Sequence, residues 1–293
     1  MLSDKKSVSN RSVSETLMRI VFAASALTAV LAVGLICVFL FAGGLPAMGK
    51  IGVFDFLTGT IWKPTYDEYG ILPMIVGSLY VTAGAIIFGV PVGLFTAVFM
   101  AKVCPKFIYK LLKPALDLLA GIPSVVYGFF GMVVLVPFVR NTFGGKGSSI
   151  LTASLLLGIM ILPTIIGVSE SALRAVPDEL YEGAVALGAS HERAVFGVVL
   201  PAAKSGVMAA IVLGVGRAIG ETMAVKMVAG NQTVLRAPNE FLLGVRTLTA
   251  NVVLEMGYAE GLHREALVAT GVVLFIFILL INLLFSVLKK EGG

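Results

Sequence analysis

Charge is what this chain has least of. Asp, Glu, Lys and Arg make up only 13% of its 293 residues, about half of the roughly 25% found in a soluble domain. With 58% hydrophobic residues beside them, a water-soluble globule is excluded. The composition is that of a polytopic membrane protein folded as one integral domain. Cysteine is nearly absent: Cys37 lies in an apolar run and Cys104 at the end of another, with neither a disulfide framework nor metal spacing. The two histidines, His191 and His263, are far apart in sequence and give no metal site. Nucleotide motifs fail on inspection. In Gly144-Gly145-Lys146-Gly147-Ser148, Arg140 stands where a P-loop needs its first Gly, and Gly147 where Ser or Thr must follow Lys. Gly214-Val215-Gly216 lacks the third Gly of a dinucleotide fingerprint, since Ile219 takes its place. The net charge of +5 follows the membrane topology and implies no nucleic-acid partner.

What the chain does have is long charge-free runs. Residues 1–17 are Ser-rich and basic and are expected to form a disordered segment ahead of a membrane domain at 18–293. The first run, Ile20 to Phe41, has 22 residues. That exceeds the ~7–15 of a signal-peptide core, so an uncleaved span is expected. Five further spans are expected at about 71–101, 118–139, 150–169, 206–228 and 266–288. Pro91, Pro123, Pro137 and Pro163 fall inside them, which argues for kinked, closely packed helices.

Lys and Arg set the expected orientation. With the amino terminus inside, thirteen fall on cytoplasmic segments and seven outside, with Arg217 and Lys226 left in the membrane. The positive-inside rule then places both termini in the cytoplasm. Lys102 to Lys113, four lysines in twelve residues, is the clearest cytoplasmic marker.

That orientation puts the polar loop 174–205 inside. Pro177 suits the start of a helix, and Asp178 and Glu179 suit its positive end. Leu180, Ala184 and Leu187 form one apolar stripe at helical spacing. Gly188 suits the end of that helix and Ser190 the cap of a second one leading to Pro201. An amphipathic turn resting on lipid and a docking element for a partner both fit this pattern.

The next span carries Arg217, Glu221 and Lys226, at a cost of roughly 2.5 to 3.5 kcal/mol for each charge at bilayer depth. As helical neighbours four apart, Arg217 and Glu221 would share a face and partly neutralise each other. Gly214, Gly216 and Gly220 keep those turns narrow enough for another helix or a solute to approach. A guanidinium fork suits phosphate oxygens, while a structural ion pair between helices is the plain alternative. Lys226, near the outer end of the span, is expected to snorkel to water.

Glu182-Gly183-Ala184, with Gly188 four residues later and Val198, Leu200 and Pro201 beyond it, resembles the EAA motif of ABC-transporter permeases. Gly183 replaces the middle Ala and Val198 the usual Ile. A helix-interior Gly costs about 1 kcal/mol against Ala. More of the chain is similar to the phosphate-permease family PstC. The likeness runs through Trp62-Lys63-Pro64, Tyr69-Gly70-Ile71-Leu72-Pro73, Gly121-Ile122-Pro123-Ser124, Met160-Ile161-Leu162-Pro163-Thr164 and the run from Gly216 to Val225.

The resemblance implies an all-α, six-helix, MetI-like type I ABC-importer permease in the cell membrane. It implies a PstA-like permease partner, two ATP-binding subunits that use ATP and Mg, and an extracytoplasmic phosphate-binding protein. This chain would itself hold no cofactor and catalyse no reaction. Glu182, Gly183, Ala184, Gly188, Leu200 and Pro201 would couple to the ATPase, and Arg217 and Glu221 would lie on the phosphate path. The outer segment from Gly230 to Glu265, with Arg236, Arg246, Glu255 and Glu260, would be either a solvated loop or the binding protein's dock. Rival readings are a permease for sulfate or molybdate, an ion-coupled secondary transporter, and a membrane scaffold or sensor.

Overall fold

A computed structural model describes the backbone of residues 3–290 and the side chains of residues 15–283. The chain is helical almost throughout. Its elements are α1 (Ser3–Ile51), α2 (Val53–Thr58), a two-residue hairpin of β1 (Trp62–Lys63) and β2 (Glu68–Tyr69), and α3 (Leu72–Val98). Next come α4 (Lys106–Gly121), α5 (Ser124–Phe130), α6 (Val136–Phe143), α7 (Ile150–Arg174) and α8 (Asp178–Ala186). The chain continues with α9 (His191–Ala194), α10 (Leu200–Ala202), α11 (Lys204–Gly220), α12 (Met223–Val228), α13 (Leu248–Glu255) and α14 (Gly261–Lys290).

Five helical stretches among the described residues are long and apolar enough to cross a bilayer: 15–51, 72–103, 124–143, 150–174 and 261–283. A bent pair, His191–Ala202 followed by Lys204–Gly220 with 71° between its halves, makes a sixth when counted as one broken span. The segment read as disordered continues α1 as helical backbone from Ser3, while Met1 and Leu2 lie outside the described residues.

α7 is the axis of the bundle and packs most extensively against α3 and α11. Leu156, Leu157, Met160, Ile161, Ile165 and Ile166 are all buried along it. Hydrophobicity gives little reason for helices to associate in lipid, so close contact relies on small residues. Gly89 and Gly93 of α3 supply it, because a Cβ on either would stand 2.8 Å from Ile161 or Ile165. Gly214 of α11 lies against the opposite side of Ile165, where a Cβ would stand 2.9 Å away. α1 leans on α14 through an edge-on Phe41–Phe275 pair at 5.8 Å. Between Leu17 and Val33 it leaves its large apolar side chains bare, as lipid contact requires.

Two breaks depart from the expected spans. The third span starts at Ser124 rather than Leu118, because Ile122 is extended (φ −67°, ψ 127°) ahead of Pro123. A residue before proline is pushed out of the α region by the ring. Tyr127 bridges this break by donating its hydroxyl to the Leu119 carbonyl at 2.7 Å.

The fifth span ends at Gly220, because Glu221 is also extended (φ −71°, ψ 123°) and helix resumes only at Met223. Gly216 and Gly220 weaken the last turn of α11. The groups freed by the break are bonded, as backbone at membrane depth must be. Thr222 donates its hydroxyl to the Gly220 carbonyl and Thr249 donates to the Glu221 carbonyl.

Candidate functional site: an unpaired arginine, a capped loop and two charge locks

The break corrects the expected ion pair. Arg217 lies in the last turn of α11, whereas Glu221 lies beyond it and accepts a hydrogen bond from the Ala224 amide at 3.2 Å. Glu221 thus caps α12 instead of facing Arg217 from the next helical turn. Arg217 donates Nη1 to the Thr164 hydroxyl of α7 at 3.1 Å. No carboxylate lies within ion-pair distance of it among the described residues. Both Arg217 and Glu221 are half-buried. A Cβ at Gly216 or Gly220 would meet nothing within 4 Å, so this side of α11 borders open space. A guanidinium has five N–H donors, and one of these is taken by a side chain among the described residues. Such a cation is suited to an anion from outside the chain. Lys226, on α12, is half-buried.

The loop after α7 is built by its caps. Gly188 takes φ +88°, its N–H reaches the Val185 carbonyl at 2.9 Å, and the Ala189 N–H reaches that of Ala184 at 3.1 Å. This pair is a Schellman ending for α8, with glycine where an L side chain is strained. Ser190 then accepts from the Arg193 amide at 3.3 Å and starts α9. Pro177 stands at the cap position, one residue before the helix begins. Tyr181 contacts His191 Nδ1 at 2.8 Å through its hydroxyl, and Lys102 reaches Asp178 at 3.3 Å.

These contacts leave the apolar stripe outward: Leu180 is 46% exposed and Leu187 92%. Glu182, Gly183, Gly188 and Pro201 are exposed, while Ala184 and Leu200 are half-buried. Gly183 has open space around its Cα, so its departure from Ala affects helix propensity and not packing.

The chain also holds a buried charge cluster that its sequence did not disclose. Glu170 is 2% exposed and receives the Tyr109 hydroxyl at 2.7 Å, Lys113 Nζ at 3.1 Å and Arg174 Nε at 2.8 Å. Arg174 also donates to the Met100 carbonyl at 2.8 Å and lies 4.7 Å over the Tyr109 ring. Three segments, α4, α7 and the stretch after α3 that holds Met100, are thereby fastened where α7 meets the loop. The signal was present as a single acid at the end of an apolar run with a base four residues later. Its other partners came from a distant lysine-rich stretch that was assigned only to topology.

A second lock lies on α13. Glu255 accepts from Trp62 Nε1 at 2.8 Å, pairs with His263 Nε2 at 2.9 Å, and is bound by Arg246. Arg246 also donates to the Asn231 carbonyl and to Asn251. Glu255 and Arg246 were read as part of a solvated loop or a dock, but both are largely buried. Burial alone would raise the Glu255 carboxyl, yet the bonds from Trp62, Arg246 and His263 outweigh it and hold it below the ordinary 4.5. A lowered carboxyl contributes stability that is complete above that value and lost as pH falls through the folded one. Thermal stability should therefore fall below about pH 4.5, and Glu255→Gln should flatten that acid limb. An acid limb unchanged in the variant would assign it to other carboxylates.

A polytopic bundle with a broken, arginine-bearing span and a capped amphipathic loop fits the permease subunit of an ABC importer. Residues 89–290 match the family of binding-protein-dependent transport system inner membrane components, and the chain belongs to that family. It is 41% identical over 288 residues to the probable ABC transporter permease protein YqgH of Bacillus subtilis, covering 94% of this chain and 93% of the relative. It is 34% identical over 279 residues to the phosphate transport system permease protein PstC of Mesorhizobium japonicum, covering 88% and 84%.

Among solved structures, an inward-facing MetNI methionine ABC transporter matches with TM-score 0.61 at 20% identity, over 80% of this chain and 100% of that one. A bacterial alginate ABC transporter in complex with alginate pentasaccharide-bound periplasmic protein gives TM-score 0.61 at 16% identity, over 93% and 96%. These two matches bear on the fold alone.

Proposed function

We propose that this chain is the PstC-like half of an ATP-driven importer of inorganic phosphate in the cytoplasmic membrane. The observation that carries the reading is Arg217, a cation in a membrane-spanning helix with a threonine hydroxyl as its side-chain partner and open space beside it. A charge kept at such cost without a counter-charge is explained by an anion that visits. Phosphate loses hydration on entering a low-dielectric path, and charge-assisted bonds from the guanidinium replace part of it. The PstC relatives support phosphate as that anion.

In this reading both termini are cytoplasmic, and a PstA-like permease supplies the other half of the path. One of two ATPase subunits docks on the outward stripe of α8, and the pair supplies ATP hydrolysis with Mg. A phosphate-binding protein delivers solute from the other side. Val185 (42% exposed) extends the bare stripe of Leu180 and Leu187, which supports a partner groove over a purely internal role.

Two experiments follow. Phosphate uptake into vesicles holding the reconstituted complex should require ATP on the ATPase side. Uptake of sulfate in preference to phosphate would assign the same machinery to another oxyanion. Coupling is tested by Gly188→Val, which forces a β-branched residue to φ +88° at a cost of roughly 1–2 kcal/mol, and by Glu182→Lys. Both variants should insert normally while ATP hydrolysis no longer drives uptake. Normal uptake in both, with the ATPase still bound, would remove the loop from the coupling route.

A further inference from the structure

Several hydroxyls on the helices of this chain turn inward on their own backbone. Ser25, Thr28, Thr96, Ser171 and Thr270 each donate to the carbonyl four residues before them, at 2.7–3.0 Å. Thr164 does not. Its oxygen accepts from Arg217 Nη1 at 3.1 Å, and its own proton has no acceptor among the described residues. It is half-buried on α7, directly after Pro163, on the face that meets α11. The approach of the two helices is set one turn before Arg217 by Gly214, whose bare Cα rests on Ile165, the residue after Thr164.

We propose that Thr164 is both the positioning residue of Arg217 and a direct ligand of the transported oxyanion. This rests on the phosphate reading above. A hydroxyl accepts a bond from a guanidinium and donates another from the same oxygen. Accepting from Nη1 fixes the plane of the fork and leaves the remaining N–H groups for the solute. Donating its own proton adds a hydrogen bond to a phosphate oxygen without adding a charge to the path. That suits a transport path, where the solute must be held well enough to enter and loosely enough to leave. The seat is thus made by two helices, and any shift of α11 along α7 takes it apart.

The test compares Thr164→Val, which keeps shape and removes the hydroxyl, with Thr164→Ser, which restores the hydroxyl alone. The complete complex is reconstituted with its binding protein, and orthophosphate uptake and ATP hydrolysis are measured together. Losing one hydrogen bond to a charged group is worth about tenfold or more. Thr164→Val should therefore lower phosphate moved per ATP by about that factor, with the half-maximal concentration of binding protein unchanged. Thr164→Ser should restore the ratio. A merely structural threonine would lower assembly and ATP hydrolysis together, with the ratio intact, and that result overturns the proposal. Should Thr164→Val fail to assemble, Thr164→Ala gives the same reading. Wild-type complex that hydrolyses ATP yet takes up no orthophosphate removes the phosphate reading and this inference with it. Wild-type uptake with an unaltered ratio in Thr164→Val removes only the inference.

Discussion

Replacing Arg217 by Gln should reduce phosphate uptake at least a hundredfold while leaving the complex assembled. The two halves of that result have separate causes. Assembly survives because Arg217 has no carboxylate partner among the described residues, so removing its charge strands no opposite charge in lipid. Uptake fails because the anion loses the charge-assisted bonds that replace its hydration, each about twice as strong as a neutral one. Adding Glu221→Gln should not rescue it, since Glu221 caps α12 through the Ala224 amide. The measurement is phosphate uptake for the single and double variants, normalised to assembled complex. Near-normal uptake in the double variant would make the two residues a balanced pair and move the solute path elsewhere.

The second large effect is on folding. Glu170→Ala should cost about 2–3 kcal/mol, short of the ~3–5 kcal/mol of a fully buried ion pair, because Lys113 and Arg174 are 36% and 46% exposed and regain water. Its carboxylate is 2% exposed, and three donors converge on it. Without it, Lys113 and Arg174 repel each other across the Tyr109 ring, and α4 loses its hold on α7. Tyr109→Phe removes one hydrogen bond and should cost only about 1 kcal/mol. Thermal unfolding of the detergent-extracted complex distinguishes the cases. A Glu170→Ala transition within a degree or two of wild type would mean that the cluster is solvated in the membrane and contributes little.

How legible this was in the sequence depends on the range of the signal. Charge-free runs marked α1, α3, α7 and α14, because hydrocarbon thickness imposes a length that composition reports directly. The caps of the loop were also readable, since Gly188 and Ser190 act within three residues of themselves. The break after Gly220 was not. A residue count of four between Arg217 and Glu221 implies a shared face only where the helix continues, and it stops at Gly220. Thr164, quoted only as part of a motif, gained meaning once Gly214 brought α11 against α7. The Glu170 and Glu255 locks were hidden for the same reason. Their partners, Tyr109 and Lys113 for one and Trp62 and His263 for the other, lie 8 to 193 residues away along the chain. Local pattern carries no information on who meets whom at that range, and an apolar bundle gives each polar group few alternatives once it forms.

The central claim is that this chain forms half of an ATP-coupled phosphate path in which Arg217 handles the anion. The most direct measurement is orthophosphate uptake by the complete complex in sealed vesicles, wild type against Arg217→Gln, with ATP supplied or withheld on the ATPase side. The account expects uptake only in wild type with ATP, and binding-protein-stimulated ATP hydrolysis in both proteins. ATP-independent uptake, or equal ATP-driven uptake by the two proteins, would contradict it.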